Sequence, residues 1–521
     1  MTFGHAKTSK PQWVRIFPIM FQVSRHLHLS FCIVSVIAVV LVSVFLLTIN
    51  KQASVPYTNG FSGQMSASLG SALRGSVDFS STSMVSNGHG YLSKSLVEVN
   101  DVGAVKNASL YGLEIPALPV ANLSCAARRL PPAVPVRCDP SLLISETLRM
   151  PPFKFLPEFK NPCWREMIRT PLEDLYKTNK FALTSWTYEK AFAKMRDHWT
   201  KSRTRPKYRL RCLPYFLLAG QPKCGSTDFY ERIITHPDIV TPPSKESHWW
   251  GKNRYGWCLN STESIPLSDY IDLYDSAAVH IESGGEGVRK KKYYRKITSD
   301  ASVSTLWSND EWWKSSENCG LLEPRFTNAQ YVHAILPQAK IIVIVRNPTE
   351  RLYSDFLYFH RSSKSPEDFA KAVTEAIETL NSCISSTGLR ACVYNSSVAS
   401  SSKVRLRIGL YHVYLQEWLS LFPGSQVHVV RLEDYASLPL TTIKHVHRFL
   451  GLRVLSEQED MGVIEKPRLN TRRQSDRQLG GMLPKTQQLL DAFYRPYNVA
   501  LAKLLNDDRF LWEDDRPAPQ S

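Results

Sequence analysis

Residues 213–234 read LPYFLLAGQPKCGSTDFYERII and contain the pattern that decides the fold. The apolar run from Leu213 to Ala219 predicts a buried strand, and a helix is predicted from about Thr227 to Ile234. Gly220 and Gly225 bound the loop between them with P-loop spacing. Backbone N–H groups of such a loop and the positive end of the next helix favour an anion. The lysine is inside the loop, at position 223, which disfavours a nucleoside-triphosphate kinase.

Two later apolar runs extend the same pattern. Lys340–Val345 predicts a second buried strand that leads into a helix, and Gln426–Leu432 predicts a third after the helical stretch Leu410–Leu421. Continuous β-branched runs between helices are typical of a parallel sheet covered on both faces, so the predicted class is α/β. Leu and Phe recur at helical spacing over Lys485–Leu505, where Pro496 predicts a kink or break.

The second strand is followed by RNPTERLYS at residues 346–354. Asn347 is a good N-cap and Pro348 is favoured in the first helical position. Arg346 lies at the carboxyl end of a buried strand, where open α/β sheets bind ligands. Ser354 returns to the same side of the helix and could contact the same anion. A structural ion pair is the alternative interpretation of Arg346.

PKCGST and RNPTERLYS, in this order, resemble the signature pair of sulfotransferases that use 3′-phosphoadenylyl sulfate (PAPS). The resemblance implies a sulfotransferase fold, which is a P-loop-like parallel sheet flanked by helices. It also implies that the first loop holds the 5′-phosphosulfate and the second loop holds the 3′-phosphate. The residues carried over are, on the 5′ side, Lys223, Gly225, Ser226 and Thr227, and on the 3′ side, Arg346 and Ser354.

Longer stretches, including KESHWW and VVRLEDYAS, resemble the Golgi carbohydrate sulfotransferases of chondroitin and dermatan sulfate. This resemblance implies sulfuryl transfer from PAPS to the 6-hydroxyl of an N-acetylgalactosamine that already carries a 4-sulfate. Two alternatives stay open: a sulfotransferase for another glycosaminoglycan such as heparan sulfate, and a non-catalytic glycosaminoglycan-binding ectodomain.

Three residues are candidates for the chemistry. Lys223 is placed to stabilise the bridging oxygen as the leaving group gains charge, by analogy with phosphoryl transfer. Glu246, in a segment where related enzymes often read KEPH, is the preferred base, although Ser247 replaces the proline. His248 is the alternative base, and a surface salt bridge with Lys245 is the structural interpretation of Glu246. No metal is expected, because lysine and arginine can neutralise the developing charge.

The chain carries a formal charge of +17, which favours an acidic partner. One dense basic run suits a sulfated polymer and consists of Arg289, Lys290, Lys291 and Lys292. Two further basic groups are candidates for polymer or nucleotide contact: the alternating series Lys201, Arg203, Arg205, Lys207, Arg209 and Arg211, and the later group Lys466, Arg468, Arg472 and Arg473. Solvated surface is the alternative interpretation of each run.

The N-terminal part predicts a membrane anchor. Residues 29–49 are 21 residues without a charge, and about 20 apolar residues span a bilayer. Basic residues precede this segment, so the positive-inside rule predicts a single-pass type II Golgi membrane protein. The predicted domains are a cytosolic tail (1–28), the anchor (29–49), a lumenal stem (50–150) and a catalytic domain (151–521). A lumenal basic surface disfavours nucleic acid, whereas a homo-oligomer stays possible.

Sequons and cysteines agree with a lumenal location. The four N-glycosylation candidates are Asn107, Asn122, Asn260 and Asn395. Nine cysteines follow the predicted span, and because nine is odd, at least one is unpaired or pairs with another chain. Cys383 and Cys392 are the local candidate for a disulfide, and Cys224 is the candidate free thiol.

Overall fold

The computed structural model describes residues 153–202, 206–257, 264–286, 292–318, 320–360 and 364–513. Several predicted features lie outside these residues: the anchor at 29–49, the stem at 50–150, the sequons Asn107, Asn122 and Asn260, and the basic residues Arg289, Lys290 and Lys291. Within the described ranges, no helix is long and apolar enough to cross a membrane.

Four strands form a parallel sheet in the order β4-β3-β5-β6, and two form an antiparallel ribbon, β1-β2. The strands are β1 (Cys163–Met167), β2 (Tyr208–Cys212), β3 (Phe216–Gly220), β4 (Ser299–Asp300), β5 (Lys340–Val345) and β6 (Val427–Arg431). The predicted strands therefore exist, and the parallel sheet is confirmed. β3 begins three residues later than predicted, because Leu213 N still bonds Pro162 O beside the ribbon and Pro214 has no N–H to donate.

The α-helices of the described ranges cover the sheet and build the lobe around it. They are α1 (Trp186–Thr200), α2 (Ser226–Ile233), α3 (Leu267–Asp272), α4 (Asp275–Ser283), α5 (Asn328–Ile335), α6 (Pro348–Phe359), α7 (Pro366–Thr387), α8 (Leu389–Val393), α9 (Ser396–Ser401), α10 (Tyr411–Leu421), α11 (Leu432–Ser437), α12 (Pro439–Phe449), α13 (Glu457–Ile464), α14 (Gln474–Gln478) and α15 (Pro484–Leu505).

The sheet separates two hydrophobic layers. On β5, Ile341 and Val343 pack in one layer, whereas Ile342 and Ile344 pack in the other, and all four are fully buried. This alternation is the period-two geometry of a strand buried on both faces. Helices therefore flank the sheet on both sides, as the sequence predicts.

The sequence predicts a kink or a break at Pro496, and the break does not occur. Helix α15 runs from Pro484 to Leu505 with Pro496 inside it. Proline removes one backbone hydrogen bond, but buried side chains on both sides of it, including Tyr494 and Leu501, anchor the helix. Tyr494 also donates its hydroxyl to Leu406 O at 2.8 Å. Tertiary packing thus outweighs the local cost of the proline.

The ribbon β1-β2 corrects the interpretation of the first alternating basic series. Arg209 and Arg211 point to the same side of β2 and do not reach a polymer surface. Arg211 is 2.7 Å from both Asp272 and Asp275, and Arg209 is 3.0 Å from Asp275. Alternation places both arginines on one face of the strand, where α3 and α4 supply carboxylates. At these two positions, the arginines of the series form ion pairs within the fold.

The described cysteines fall into two disulfides and one thiol. Cys383 and Cys392, the local pair named from the sequence, are bonded, and Cys163 joins Cys212 across the ribbon. Among the described residues Cys224 is the free cysteine, and burial raises the pKa of its thiol to about 12. A thiol with a raised pKa is a poor nucleophile at neutral pH.

Candidate active site

A cleft of about 1280 Å³ opens where β3 and β5 end. Its lining brings together the predicted site residues Lys223, Gly225, Ser226, Thr227, Glu246, His248, Arg346 and Ser354. Open parallel sheets bind ligands outside the carboxyl ends of their strands, and the two loops come from neighbouring strands. Lys292, the described member of the dense basic run, is not among the lining residues.

The first loop, residues 221–225, is shaped by two left-handed residues. Lys223 has φ +64° and Gly225 has φ +73°. The left-handed backbone of Gly225 favours glycine, and a Cβ there would lie 2.7 Å from Leu432 Cδ1 and displace the end of that side chain. Gln221 N donates to Ile344 O at 2.8 Å, which fixes the loop to β5. Helix α2 begins at Ser226, and its first N–H groups lack helical partners, so they can bind an anion.

Lys223 is surrounded by positive charge. Burial lowers the pKa of Lys223, Asp355 opposes this effect, and Arg346, Arg405 and Arg473 lower the pKa further. Its Nζ lies 3.6 Å from the centroid of the Tyr358 ring. Three guanidinium groups and one carboxylate act on Lys223, so there is a local surplus of positive charge, which suits an anionic ligand.

The second loop holds its arginine by capping and by backbone contacts. Asn347 accepts hydrogen bonds from Thr349 N at 3.0 Å and Glu350 N at 3.3 Å, which starts α6. Tyr411 donates to Arg346 O at 2.8 Å. Arg346 Nη2 lies 3.3 Å from Glu350 Oε2, so the structural ion pair considered from the sequence is present. The guanidinium nevertheless lines the cleft.

A third segment, residues 469–473, completes this side of the cleft. Leu469 N donates to Asp228 Oδ1 at 2.9 Å, and Arg232 donates to Lys466 O at 2.6 Å, so α2 holds the segment. Arg472 and Arg473 line the cleft, whereas Lys466 donates to Glu231 O and Arg468 is not a lining residue. In the third basic group, Arg472 and Arg473 therefore belong to the cleft, whereas Lys466 has a structural contact with α2.

Glu246 and His248 form a pair on the other side. His248 Nε2 is 3.2 Å from Glu246 Oε2, and Lys245 contacts Glu246 Oε1. Burial opposes ionisation of Glu246, but the hydrogen bond from His248 and the charge of Lys245 outweigh it and lower the pKa to about 2. The contact with Lys245 considered from the sequence is thus present. It does not remove Glu246 from the cleft lining.

A buried polar network fixes this pair. His248 Nδ1 is 2.7 Å from Ser304 Oγ, and His248 N donates to Ser302 Oγ at 3.0 Å. Ser247 donates to Asp300 Oδ2 at 3.1 Å. Glu246 and His248 both have positive φ, of 69° and 52°, and these contacts hold that uncommon conformation. The serine at position 247 thus has a role that the proline of related segments lacks: it ties the loop to β4.

Sequence reasoning missed many of the lining residues, among them Trp307, Phe359, Arg405 and Arg407. Residues 404–409 read VRLRIG, and two arginines in a mostly apolar run were the available signal. Arg407 is 7% exposed and donates to Val393 O at 2.7 Å, so it is largely structural. Arg405 is more exposed and is paired with Asp355.

Comparison with known proteins gives one family. The model of the sulfotransferase domain family matches residues 213–477. Carbohydrate sulfotransferase 15 of Mus musculus is 39% identical over 425 residues, which cover 80% of this chain and 75% of that protein. The Homo sapiens protein of the same name is 41% identical over 373 residues, covering 70% and 66%. Bifunctional heparan sulfate N-deacetylase/N-sulfotransferase 2 of Homo sapiens is 24% identical, covering 68% and 33%.

Solved structures are more distant. A sulfotransferase from Alicyclobacillus acidocaldarius is 22% identical with a TM-score of 0.37, covering 57% of this chain and 97% of that one. A mouse sulfotransferase complexed with PAP is 14% identical with a TM-score of 0.30, covering 56% and 87%.

Proposed function

Because the chain belongs to the sulfotransferase domain family, we propose that it transfers the sulfuryl group of PAPS to the 6-hydroxyl of N-acetylgalactosamine 4-sulfate in chondroitin or dermatan sulfate. The observation that carries the proposal is the convergence of both anion-binding loops and the Glu246–His248 pair on one cleft. The relatives named carbohydrate sulfotransferase 15 support a carbohydrate acceptor.

The described residues fit a donor with a phosphosulfate and a separate phosphate. Gly225 lines the cleft and has no side chain to keep a ligand from its backbone. Lys223 and the start of α2 would hold the 5′ side, and Arg346 and Ser354 would hold the 3′-phosphate. Arg472 and Arg473 add charge on the same side. When bound, PAPS supplies an activated sulfuryl group, and no metal is required for this assignment.

In the proposed reaction, the acceptor oxygen bonds to sulfur while the bond between sulfur and the phosphate oxygen breaks. Lys223 stabilises the charge that develops on that phosphate oxygen. A carboxylate with a pKa of about 2 is a weak base, so Glu246 alone is poorly matched to proton removal at neutral pH. We therefore assign the hydroxyl proton to the Glu246–His248 pair. Because Nε2 of His248 is bonded to Glu246, the Ser304 hydroxyl passes its proton to Nδ1 and takes the acceptor's proton in exchange, and Glu246 stabilises the imidazolium that forms.

The cellular setting is part of the proposal. Residues 29–49 would anchor the chain as a type II Golgi protein, residues 50–150 would form the stem, and residues 151–521 would form the lumenal catalytic domain. The two disulfides suit an oxidising compartment. Asn395, the described sequon, uses Oδ1 to cap α9 and leaves Nδ2 for a glycan. Arg289, Lys290, Lys291 and Lys292 stay candidates for contact with the polymer.

The test uses the purified full chain with sulfur-labelled PAPS. The acceptors are unsulfated chondroitin, chondroitin 4-sulfate, dermatan sulfate and heparan sulfate. We expect label at C6 of 4-sulfated N-acetylgalactosamine, and loss of transfer in Lys223→Ala and Arg346→Ala. Lys403→Ala is the matched control, because Lys403 is exposed and pairs with Glu375 outside the cleft. Label on heparan sulfate alone would refute the acceptor, and full activity in both site variants would refute the site.

A further inference from the structure

Arg405 lies in the cleft lining between two segments. Its partner Asp355 directly follows Ser354 on α6. Its neighbour Trp307 is bonded through its N–H to the backbone of Ser304, whose hydroxyl contacts His248. The Cζ of Arg405 is 4.2 Å from the centroid of the Phe359 ring and 5.5 Å from that of Trp307. Both rings line the cleft, and Phe359 is 51% exposed. A cation between aromatic walls resembles a typical ligand pocket, in which apolar surface surrounds a few orienting polar groups.

The pair with Asp355 fixes the guanidinium without using all of it. Arg405 Nε donates to Asp355 Oδ2 at 2.8 Å, and Nη2 contacts Oδ1. Among the described residues Asp355 is the hydrogen-bond partner of this side chain, and the pair occupies only the Nε–Nη2 edge. Nη1 lies outside this bidentate contact, and since 33% of the side chain is exposed, the guanidinium can offer Nη1 to a ligand in a fixed orientation.

One carboxylate serves two arginines here. Arg351 Nη1 is 3.7 Å from Asp355 Oδ1, and Arg351 Nη2 donates to Arg405 O at 2.9 Å. The side chains of Arg351 and Asp355 are 0% and 4% exposed, whereas that of Arg405 is 33% exposed. The three groups carry a surplus positive charge, and Arg405 is the member that presents it to the cleft.

Arg405 is also near the reacting centre. Burial and Arg346 lower the pKa of Lys223, and Arg405 adds to this effect, so the two cations are close enough to repel each other. Lys223 marks the donor side in the proposed function. An anionic substituent on the same sugar ring as the reacting hydroxyl would therefore be within the field of Arg405.

We infer that Arg405 binds an anionic group already present on the acceptor ring and selects a sulfated over an unsulfated sugar. The inference rests on the proposed function, because it takes the Trp307 side of the cleft, next to the Glu246–His248 pair, as the acceptor side. Asp355 is its positioning residue, and the rings of Phe359 and Trp307 supply the apolar walls.

The test measures binding and transfer separately in the full chain with PAP present. The probes are size-matched chondroitin oligosaccharides with and without the 4-sulfate. We expect wild type to bind the sulfated probe about 10- to 100-fold more tightly, the range of one charge-assisted hydrogen bond. Arg405→Ala should abolish this preference, Arg405→Lys should restore part of it, and Lys403→Ala should keep it. Each variant should still bind PAP, which excludes misfolding.

The outcomes separate the two proposals. If wild type transfers sulfate to no chondroitin but Arg405→Ala still loses the binding preference, the proposed function is wrong and the role of Arg405 stands. If wild type transfers sulfate and Arg405→Ala keeps the preference for the sulfated probe, the role of Arg405 is refuted. Equal binding of both probes by wild type also refutes it.

Discussion

Replacing Gly225 with alanine tests the central element of the donor loop. Gly225 has φ +73°, and a Cβ there would lie 2.7 Å from Leu432 Cδ1. The left-handed conformation costs a non-glycine residue about 1–2 kcal/mol. Overpacking costs about 1–3 kcal/mol, and the lower end applies because Leu432 Cδ1 is the end of a half-buried side chain that can shift. The expected loss in the free energy of unfolding is therefore about 2–3 kcal/mol.

Gly320 is a matched control for the backbone contribution. It has φ +74°, and a Cβ there would meet no atom within 4 Å. Gly320→Ala should therefore cost only about 1–2 kcal/mol, the price of the left-handed backbone. The difference between the two variants isolates the contact with Leu432. Gly225→Ala with Leu432→Ala should recover part of that difference in a double-mutant cycle.

The assay is urea unfolding of both variants together with calorimetric titration of PAP. Gly225→Ala should weaken PAP binding, because the new methyl group displaces the loop whose N–H groups face the ligand, whereas Gly320→Ala should not. The reasoning is refuted if both alanines cost the same and both bind PAP like wild type. Equal costs with weakened binding in Gly225→Ala would refute only the steric contribution.

Three further predictions concern the site and its frame. The Cys163–Cys212 disulfide closes a loop of 49 residues, and Cys383–Cys392 closes one of 9. Replacing each pair with alanines should therefore lower the free energy of unfolding by about 4 and about 2.5 kcal/mol, respectively, because the longer loop loses more chain entropy when closed. Equal losses would contradict that account. Because the pKa of Lys223 is lowered from 10.5, its cation is lost earlier as pH rises, and kcat/KM for PAPS should begin to decline before the pH reaches 10.5. Lys223→Arg should move this decline to higher pH. Glu246→Gln should reduce kcat about 10²- to 10⁴-fold. Folding lowers the pKa of Glu246 from 4.5 to about 2, so the stability that the ionised carboxylate provides should be complete above pH 4.5 and lost as pH falls towards 2. Thermal melts of wild type and Glu246→Gln over this pH range check this.

Local patterns predicted the sheet and the two loops well. The β-branched run of β5 and the cap of α6 are decided by residues adjacent in sequence, so their bounds follow from the chain. The same holds for Lys223 and Arg346, because a strand end and a loop residue have fixed places in an α/β sheet.

Long-range pairing set the limits of prediction. Arg209 and Arg211 looked like polymer contacts because their partners, Asp272 and Asp275, are about sixty residues away in sequence. Arg405 was missed for the same reason: its place in the cleft depends on Asp355, fifty residues earlier. The break considered at Pro496 does not occur, because helix packing, which local rules do not contain, outweighs the local cost of the proline.

The concentration of cations around Lys223 has a kinetic consequence at the end of turnover. Under the proposed function, each transfer leaves the polymer with one more negative charge, so the cleft attracts the product more strongly than the substrate. Release of the sulfated chain would then limit the rate at low ionic strength. Added salt screens such contacts over about 10 Å at 0.1 M, so moderate salt should first accelerate turnover and only later weaken substrate capture.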